Sequence, residues 1–365
     1  MDTPLLLFSQ GASALDLQWA LGLSAPDPFF ALRAGRTFHV FASPLEAARF
    51  SAVLADAPRG HKGPVRVHSA QKTADFLESA RIARVAVPSD FPLAEERRLR
   101  KAGVRVDLAP APLFPKRATK RPDEVAAIRD AQRAAVSAYR LACKLLREAA
   151  PTPSGLLKLG GKTLTSELLH EKLELHLLSL GYDAPGLIAS VGPQTALPHH
   201  EGAGPIRLGD PVVLDIFPRS RRTGYWGDFT RTVVRGPVSP RLRKIHAAVA
   251  SAQRLALGMI RPGVAGSAIQ KAVEDHFQSL GFPTDLSTPG RESGFIHSVG
   301  HGVGLDIHEA PRISKSGGLL SAGHVVTVEP GLYYPAFGGV RIEDTVLVTP
   351  LGPRLLAPCP HPLSL

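Results

Sequence analysis

Residues 211–234, PVVLDIFPRSRRTGYWGDFTRTVV, hold two apolar runs around a polar, arginine-rich middle, with an aspartate in each arm. If Asp215 and Asp228 face each other across an antiparallel hairpin, the turn centres between Arg221 and Arg222, inside RSRRTG, where polar turn-forming residues are supplied. The same arithmetic applies to residues 325–349, VVTVEPGLYYPAFGGVRIEDTVLVT. Glu329 and Glu343 face each other if the turn centres at Ala336, within YPAFGG. Two hairpins would each present a pair of acids.

Four carboxylates set in apolar strands repel one another and are costly to bury unless cations neutralise them. Two divalent ions carry the matching charge. With His301 in SVGHGVG the shell is one imidazole among oxygens, which suits two ions bridged by water or hydroxide. The bland alternative is four exposed edge-strand acids with unrelated roles. Five such residues in such compact contexts favour the metal site.

The surroundings fit an α/β protein. Residues 1 to about 110 alternate short apolar runs (LLLF, VRVHS, ARVAVP, VRVDLA) with helical ones of about ten residues, among them PLEAARFSAVLADA at 44–57 and a hairpin-like FFALRAGRTFHVFA. This stretch carries no phosphate loop and no catalytic signature, so it reads as a scaffold, a substrate cap or a dimerising domain. APAPLFPKRATKRPDE, with four prolines from Pro110 to Pro122, closes it, and Pro122 and Asp123 open a long amphipathic helix. The expected division is an N-terminal α/β domain at 1–115 and a catalytic domain at 116–365. The second domain looks doubled: each half offers two helices and then strands, and LSLGY at 178–182 is echoed by QSLGF at 278–282, with Gly181 and Gly281 as expected helix C-caps.

Composition narrows the function. The net charge of +11 comes from scattered basic residues, aromatic content is 6%, and no zinc finger, recognition helix or basic zipper is present, so no specific nucleic-acid partner is expected. No segment approaches the roughly 20 apolar residues that cross a bilayer. The opening MDTPLLLFSQG, acidic at Asp2 and soon broken, reads against a secretory leader, and the two cysteines, Cys143 and Cys359, make neither a disulfide framework nor a zinc knuckle. A cytoplasmic location is the expectation. There is no GxSxG elbow and no HExxH, and the GHGVG run is followed by LDIHEAP with a proline and no helix.

The segments PHHEGAG, VVLDIF, GYWGDFTRT, HSVGHGVGLDIHE, VEPGLYY and GGVRIED together resemble the pita-bread metallopeptidases: methionine aminopeptidases, aminopeptidase P, Xaa-Pro dipeptidases (prolidases) and the non-metal creatinases. The similarity spans roughly residues 120–350. It implies a creatinase-like N-terminal domain followed by a pseudo-twofold pita-bread domain. It makes Asp215, Asp228, His301, Glu329 and Glu343 the ligands of two divalent metals (Mn, Co or Zn), with Asp228 and Glu343 bridging. Creatinases do not keep this set. Glu329 is implied to take a proton from the bridging water and pass it to the leaving nitrogen, while His199, His297 and His308 match histidines that act on the substrate carbonyl and hold the residue after the scissile bond. His200, next to His199, is set aside on the Pro198–His199 spacing. Arg341 and Tyr333 fit groups that orient carboxylates or substrate; for Arg341 the alternative is pairing with Glu343 or Asp228.

Three departures from the family bear on specificity. Asp215 and Asp228 stand further apart than usual, which lengthens an arginine-rich tip (Arg219, Arg221, Arg222); Gln194 stands where many relatives have asparagine; and PTPSGLLKLGGKT at 151–163 looks inserted. The implied activity is hydrolysis of Xaa-Pro bonds in small proline-containing peptides, with a dipeptidase preferred over an aminopeptidase P. Homodimers are common among relatives. A non-catalytic pita-bread module binding peptides or RNA is the reading from another class, and loss of ligands would be its mark.

Overall fold

In the computed structural model the chain divides into two compact units, Met1–Arg117 and Ala118–Leu365. The structure describes residues 3–56, 60–69, 72–287, 289–290 and 292–365. Met1 and Asp2, on which the reading of the chain's opening partly rests, and Ala57, the last residue of the helix expected over 44–57, lie outside them.

The N-terminal unit is one mixed sheet with helices. Its strands are β1 (Leu5–Phe8), β2 (Phe30–Ala34), β3 (Thr37–Ala42), β4 (Val65–Ser69), β5 (Arg84–Val87) and β6 (Arg105–Leu108), in the order β4-β3-β2-β1-β5-β6. Helices α1 (Gly11–Leu21), α2 (Pro44–Asp56), α3 (Thr73–Ser79) and α4 (Leu93–Lys101) connect them. The expected hairpin exists: β2 and β3 pair antiparallel with Ala34 opposite Thr37, and Gly35 supplies the left-handed turn position at φ 58°. Leu6, Leu32 and Val85 meet Leu77 and Leu99 in the core.

The second unit is built from two like halves. Its first helix, α5 (Pro122–Glu148), starts with Pro122 at its first position, and the Glu124 carboxylate accepts from the Arg121 amide at 2.7 Å. Val125, Ile128, Ala131, Ala135, Tyr139, Ala142 and Leu146, spaced three and four apart, form its buried stripe. The segment at 151–163 forms the small strands β7 (Ala150–Pro151), β8 (Leu157–Leu159) and β9 (Lys162–Thr163), anchored by the fully buried Leu157. Then come α6 (Ser166–Ser179), β10 (Tyr182–Asp183), β11 (Ile188–Val191), β12 (Pro211–Ile216), β13 (Arg219–Ser220) and β14 (Phe229–Val234). The second half brings α7 (Pro240–Met259), α8 (Gly266–Ser279), β15 (Gly300–Gly302), β16 (Glu309–Ile313), β17 (Val325–Val328), β18 (Gly331–Tyr334), β19 (Gly338–Arg341), β20 (Asp344–Thr349) and β21 (Gly352–Leu355). The sheets run β11-β12-β14 in the first half and β16-β15-β17-β20-β21 in the second. Each half has its own apolar core, one around α5 and α6, the other around α7 and α8.

The doubling extends to side chains. Ser137 on α5 meets His176 Nε2 on α6 at 2.9 Å, and Ser251 on α7 meets His276 Nε2 on α8 at 2.7 Å. Gly181 and Gly281 adopt φ of 84° and 79°, one residue beyond the C-caps Leu180 and Leu280. The left-handed residue thus sits just past the cap, where a β-carbon would be strained.

The first hairpin corrects one expectation. Asp215 pairs with Thr230 rather than Asp228, because β12 and β14 close around a turn centred between Arg222 and Thr223. A shift of two in register keeps side chains on the same face, so both aspartates still point the same way, diagonally. The second hairpin keeps the expected register: Val328 opposes Asp344 and Gly331 opposes Arg341, which sets Glu329 against Glu343.

Candidate metal centre

The acids converge because β14, the edge strand of its sheet, meets the break between β19 and β20, where the Glu343 amide donates to the Thr230 carbonyl at 3.0 Å. Asp228 follows the turn into β14, and its backbone is clamped by Gln132 of α5, which donates to its carbonyl at 2.7 Å and accepts from its amide at 2.8 Å. Glu329 and Glu343 occupy the break between β17 and β18 and between β19 and β20. His301 arrives on β15, its amide donating to Thr327 Oγ1 at 3.0 Å.

Asp228, His301 and Glu343, all buried, offer ligand atoms within 4.8 Å of one another. His301 Nε2 lies 3.1 Å from Glu329 Oε1 and 3.6 Å from Asp228 Oδ2. Asp215 stands at the far side, where Arg341 donates to its Oδ2 at 2.6 Å. Thr230, opposite Asp215 in the sheet, donates to Glu343 Oε2 at 2.7 Å. Three of the five ligand candidates thus form one cluster, Glu329 joins it through His301, and Asp215 borders the same cavity.

Electrostatics divide the acids. Burial opposes ionisation of Glu329, yet the hydrogen bond and charge of His301 bring its carboxyl down to about 2. Burial likewise opposes protonation of His301, but the bond to Glu329 carries it up to about 9. Burial first, and then neighbouring carboxylates, push Asp228 and Glu343 well above the usual range. Asp215 Oδ1 and Glu343 Oε1 are buried with no hydrogen-bond partner. Two orphaned carboxylate oxygens beside two acids that resist ionisation form a site that a cation would suit. Oxygen donors with one imidazole nitrogen fit a divalent cation.

A cavity of about 480 Å³ opens over this cluster, lined by its acids, by His301 and Arg341, and by His199, His297 and His308. His199 and His308 are exposed, and the His308 ring packs edge-on against His301 with centroids 4.3 Å apart. Burial lowers the pKa of His297 and of His308, the latter also feeling His301. His297 is fixed by Tyr333, whose hydroxyl lies 2.8 Å from Nε2. Tyr333 itself is fully buried and also accepts from Arg341 Nη1 at 2.8 Å, so it reaches the cavity through those two side chains. Arg341 pairs with Asp215, not with the Glu343 or Asp228 considered as its alternative partners. His200 turns inward on its own loop, its Nδ1 accepting from the Gly202 amide at 3.0 Å. Gln194 holds that loop through both hydrogen bonds to the Ala203 backbone.

Sequence reasoning missed Thr230, Thr327 and Gln132. The first two carried a signal: each lies two residues from an acid in a strand, hence on the same face. It also missed Arg231, fully buried, which donates to the Thr230 and Glu343 carbonyls and to Asp344 Oδ1 at 2.7 Å.

Comparison with known proteins finds relatives among peptidases. Two curated relatives are an uncharacterised peptidase YqhT of Bacillus subtilis, 37% identical over 53% of this chain and 52% of its own length, and a Xaa-Pro dipeptidase of Pyrococcus furiosus, 38% identical over 51% of each. The chain thus spans about half the length of the curated relatives it matches. Among solved structures, a prolidase from Pyrococcus horikoshii superposes with a TM-score of 0.81 at 25% identity, covering 99% of this chain and 95% of that one. The dipeptidase PepE of Mycobacterium ulcerans gives 0.78 at 27%, covering 99% and 92%. The model of metallopeptidase family M24 matches residues 126–350, which contain both halves of the second unit's site, and the chain belongs to that family.

Proposed function

We propose that the protein is a metallo-exopeptidase that binds two divalent ions through Asp215, Asp228, His301, Glu329 and Glu343 and hydrolyses Xaa-Pro bonds, with dipeptides preferred. The single observation that carries this reading is the pair of buried, unpartnered oxygens, Asp215 Oδ1 and Glu343 Oε1, facing a cluster whose acids resist ionisation. When bound, such ions supply a Lewis acid and lower the pKa of water. Mn, Co and Zn all suit this donor set.

The chain's own residues then have definable tasks. Glu329, ionised beside His301, accepts a proton and returns it to the leaving nitrogen. His308, on the rim beside His301, is placed to donate to a substrate oxygen, and His199 and His297 hold the residue after the scissile bond. Ile188, Phe217 and Ile307 give the cavity apolar wall against which a pyrrolidine ring can pack. Arg341 and Tyr333 act as positioning groups for Asp215 and His297. The N-terminal unit is read as a capping or dimerisation domain.

The relatives named Xaa-Pro dipeptidase and the prolidase structures support this substrate class. The test is direct: protein reloaded with Mn, Co or Zn should hydrolyse Xaa-Pro dipeptides. An intact fold with no turnover on these or on longer Xaa-Pro peptides would sink the reading. Faster turnover of longer peptides would turn it towards an aminopeptidase P.

A further inference from the structure

A second cavity, of about 530 Å³, lies wholly within the N-terminal unit, in the size range of small-molecule sites. Arg33, Arg36, Lys62 and Lys116 line it, and no carboxylate does among the described residues. None of these four side chains forms an ion pair with a described residue, whereas Arg84 and Arg117 of the same unit pair with Asp107 and Asp16. Four unpaired cations on one concave wall focus a positive potential into it.

Independent of the charge, Trp19 belongs to the same wall, is only 7% exposed, and its Nε1–H has no acceptor among the described residues. A buried indole donor normally finds a partner. The backbone at Gly60, also on the wall, crosses so close that a β-carbon there would fall 2.6 Å from the indole ring. The Arg33 guanidinium is stacked 5.4 Å from the centroid of Phe114, which pre-orients a planar donor fork.

We propose that this cavity binds a small polyanion of the di- or triphosphate class, held by the two arginines and two lysines with Trp19 as an additional donor. A monophosphate carries about two negative charges and would leave half of the four cations unmatched. Guanidinium forks favour phosphate oxygens, and the aromatic wall accepts an organic group attached to them. The inference does not depend on the peptidase reading, since no residue of the metal centre takes part.

Isothermal titration of the metal-loaded full chain with inorganic pyrophosphate and with ATP, at about 150 mM salt to screen surface charge, tests it. Both anions also reach metal ions, so the comparison is with R36Q/K62Q, two exposed positions, and with W19F, which keeps the ring and loses the N–H. The expected dissociation constant is about 100 μM or tighter. It should weaken at least tenfold in the double variant and about threefold in W19F, and stay unchanged in K158Q/K162Q. ATP binding well above pyrophosphate would identify a nucleotide, and equal binding an inorganic polyphosphate; either supports the site. No binding, unchanged affinity in R36Q/K62Q or in W19F, or binding of a short RNA without either phosphate probe, overturns it.

Discussion

The two hairpins of the candidate metal centre each carry two acids, in different ways. In the first, the acids lie diagonally: Asp215 sits inside β12 and Asp228 just before β14. In the second they are directly opposed, in a gap where strand pairing stops on both sides around Pro330, which has no amide to give. The supports are exchanged between them. Arg341 of the second hairpin neutralises Asp215 of the first, and Thr230 of the first holds Glu343 of the second. Each hairpin therefore has one acid paired closely with a cationic side chain, Asp215 with Arg341 and Glu329 with His301, and one whose pKa is pushed well above the usual range, Asp228 and Glu343. Compensation follows function across the halves and not the chain's doubling.

Four substitutions test how the two halves differ. Glu329→Gln removes the acid proposed above to transfer the proton, and kcat should fall about 10³-fold or more while the fold survives by circular dichroism. Retention of more than a tenth of the activity would assign the proton to another group. Arg341→Met leaves Asp215 buried without its partner. Breaking such a pair costs about 3–5 kcal/mol, read as a lower urea midpoint in metal-free protein, with part of the loss restored on adding divalent metal. Equal losses with and without metal would mean that Asp215 does not face the ions.

Thr230→Val keeps the shape and removes the hydroxyl that holds Glu343. Divalent-metal affinity by titration calorimetry should weaken about tenfold, the usual range for a partner that orients a metal ligand. The smallest effect concerns pH. Five residues upstream of each helix serine, Ser137 and Ser251, the first half has Gln132 and the second has His246. Burial, and then His361, lower the His246 pKa to about 4. A histidine depressed in the folded state contributes fully above its unfolded value of about 6.5 and loses that contribution as pH falls towards 4. The urea midpoint should therefore drop across that window, and His246→Gln should flatten the drop.

Much of this was legible in the sequence, for local reasons. The Glu329–Glu343 register was readable because YPAFGG closes symmetrically about Ala336. The first register slipped by two because RSRRTG offers several equivalent turn centres and the chain uses Arg221–Gly224, with Gly224 at φ 77°. Gln132 and Arg231 were not readable: Gln132 meets Asp228 from 96 residues away and Arg231 meets Asp344 from 113, and no periodicity encodes such partners. The order of the N-terminal strands was hidden likewise, since β1 lies between β2 and β5 only after the chain has crossed the sheet.

Arg231 has a consequence beyond the site. Besides Asp344, its guanidinium donates to the carbonyls of Cys359 at 2.7 Å and Pro360 at 3.3 Å, and Val234, at the end of the same strand, exchanges hydrogen bonds with Leu363 and Leu365. The final residues are thus woven into the joint between the halves. In hydrogen-exchange terms, the amides of Val234 and Leu365 should open together with that joint rather than fray like a free end, so the tail is a built-in reporter of whether the two halves stay closed.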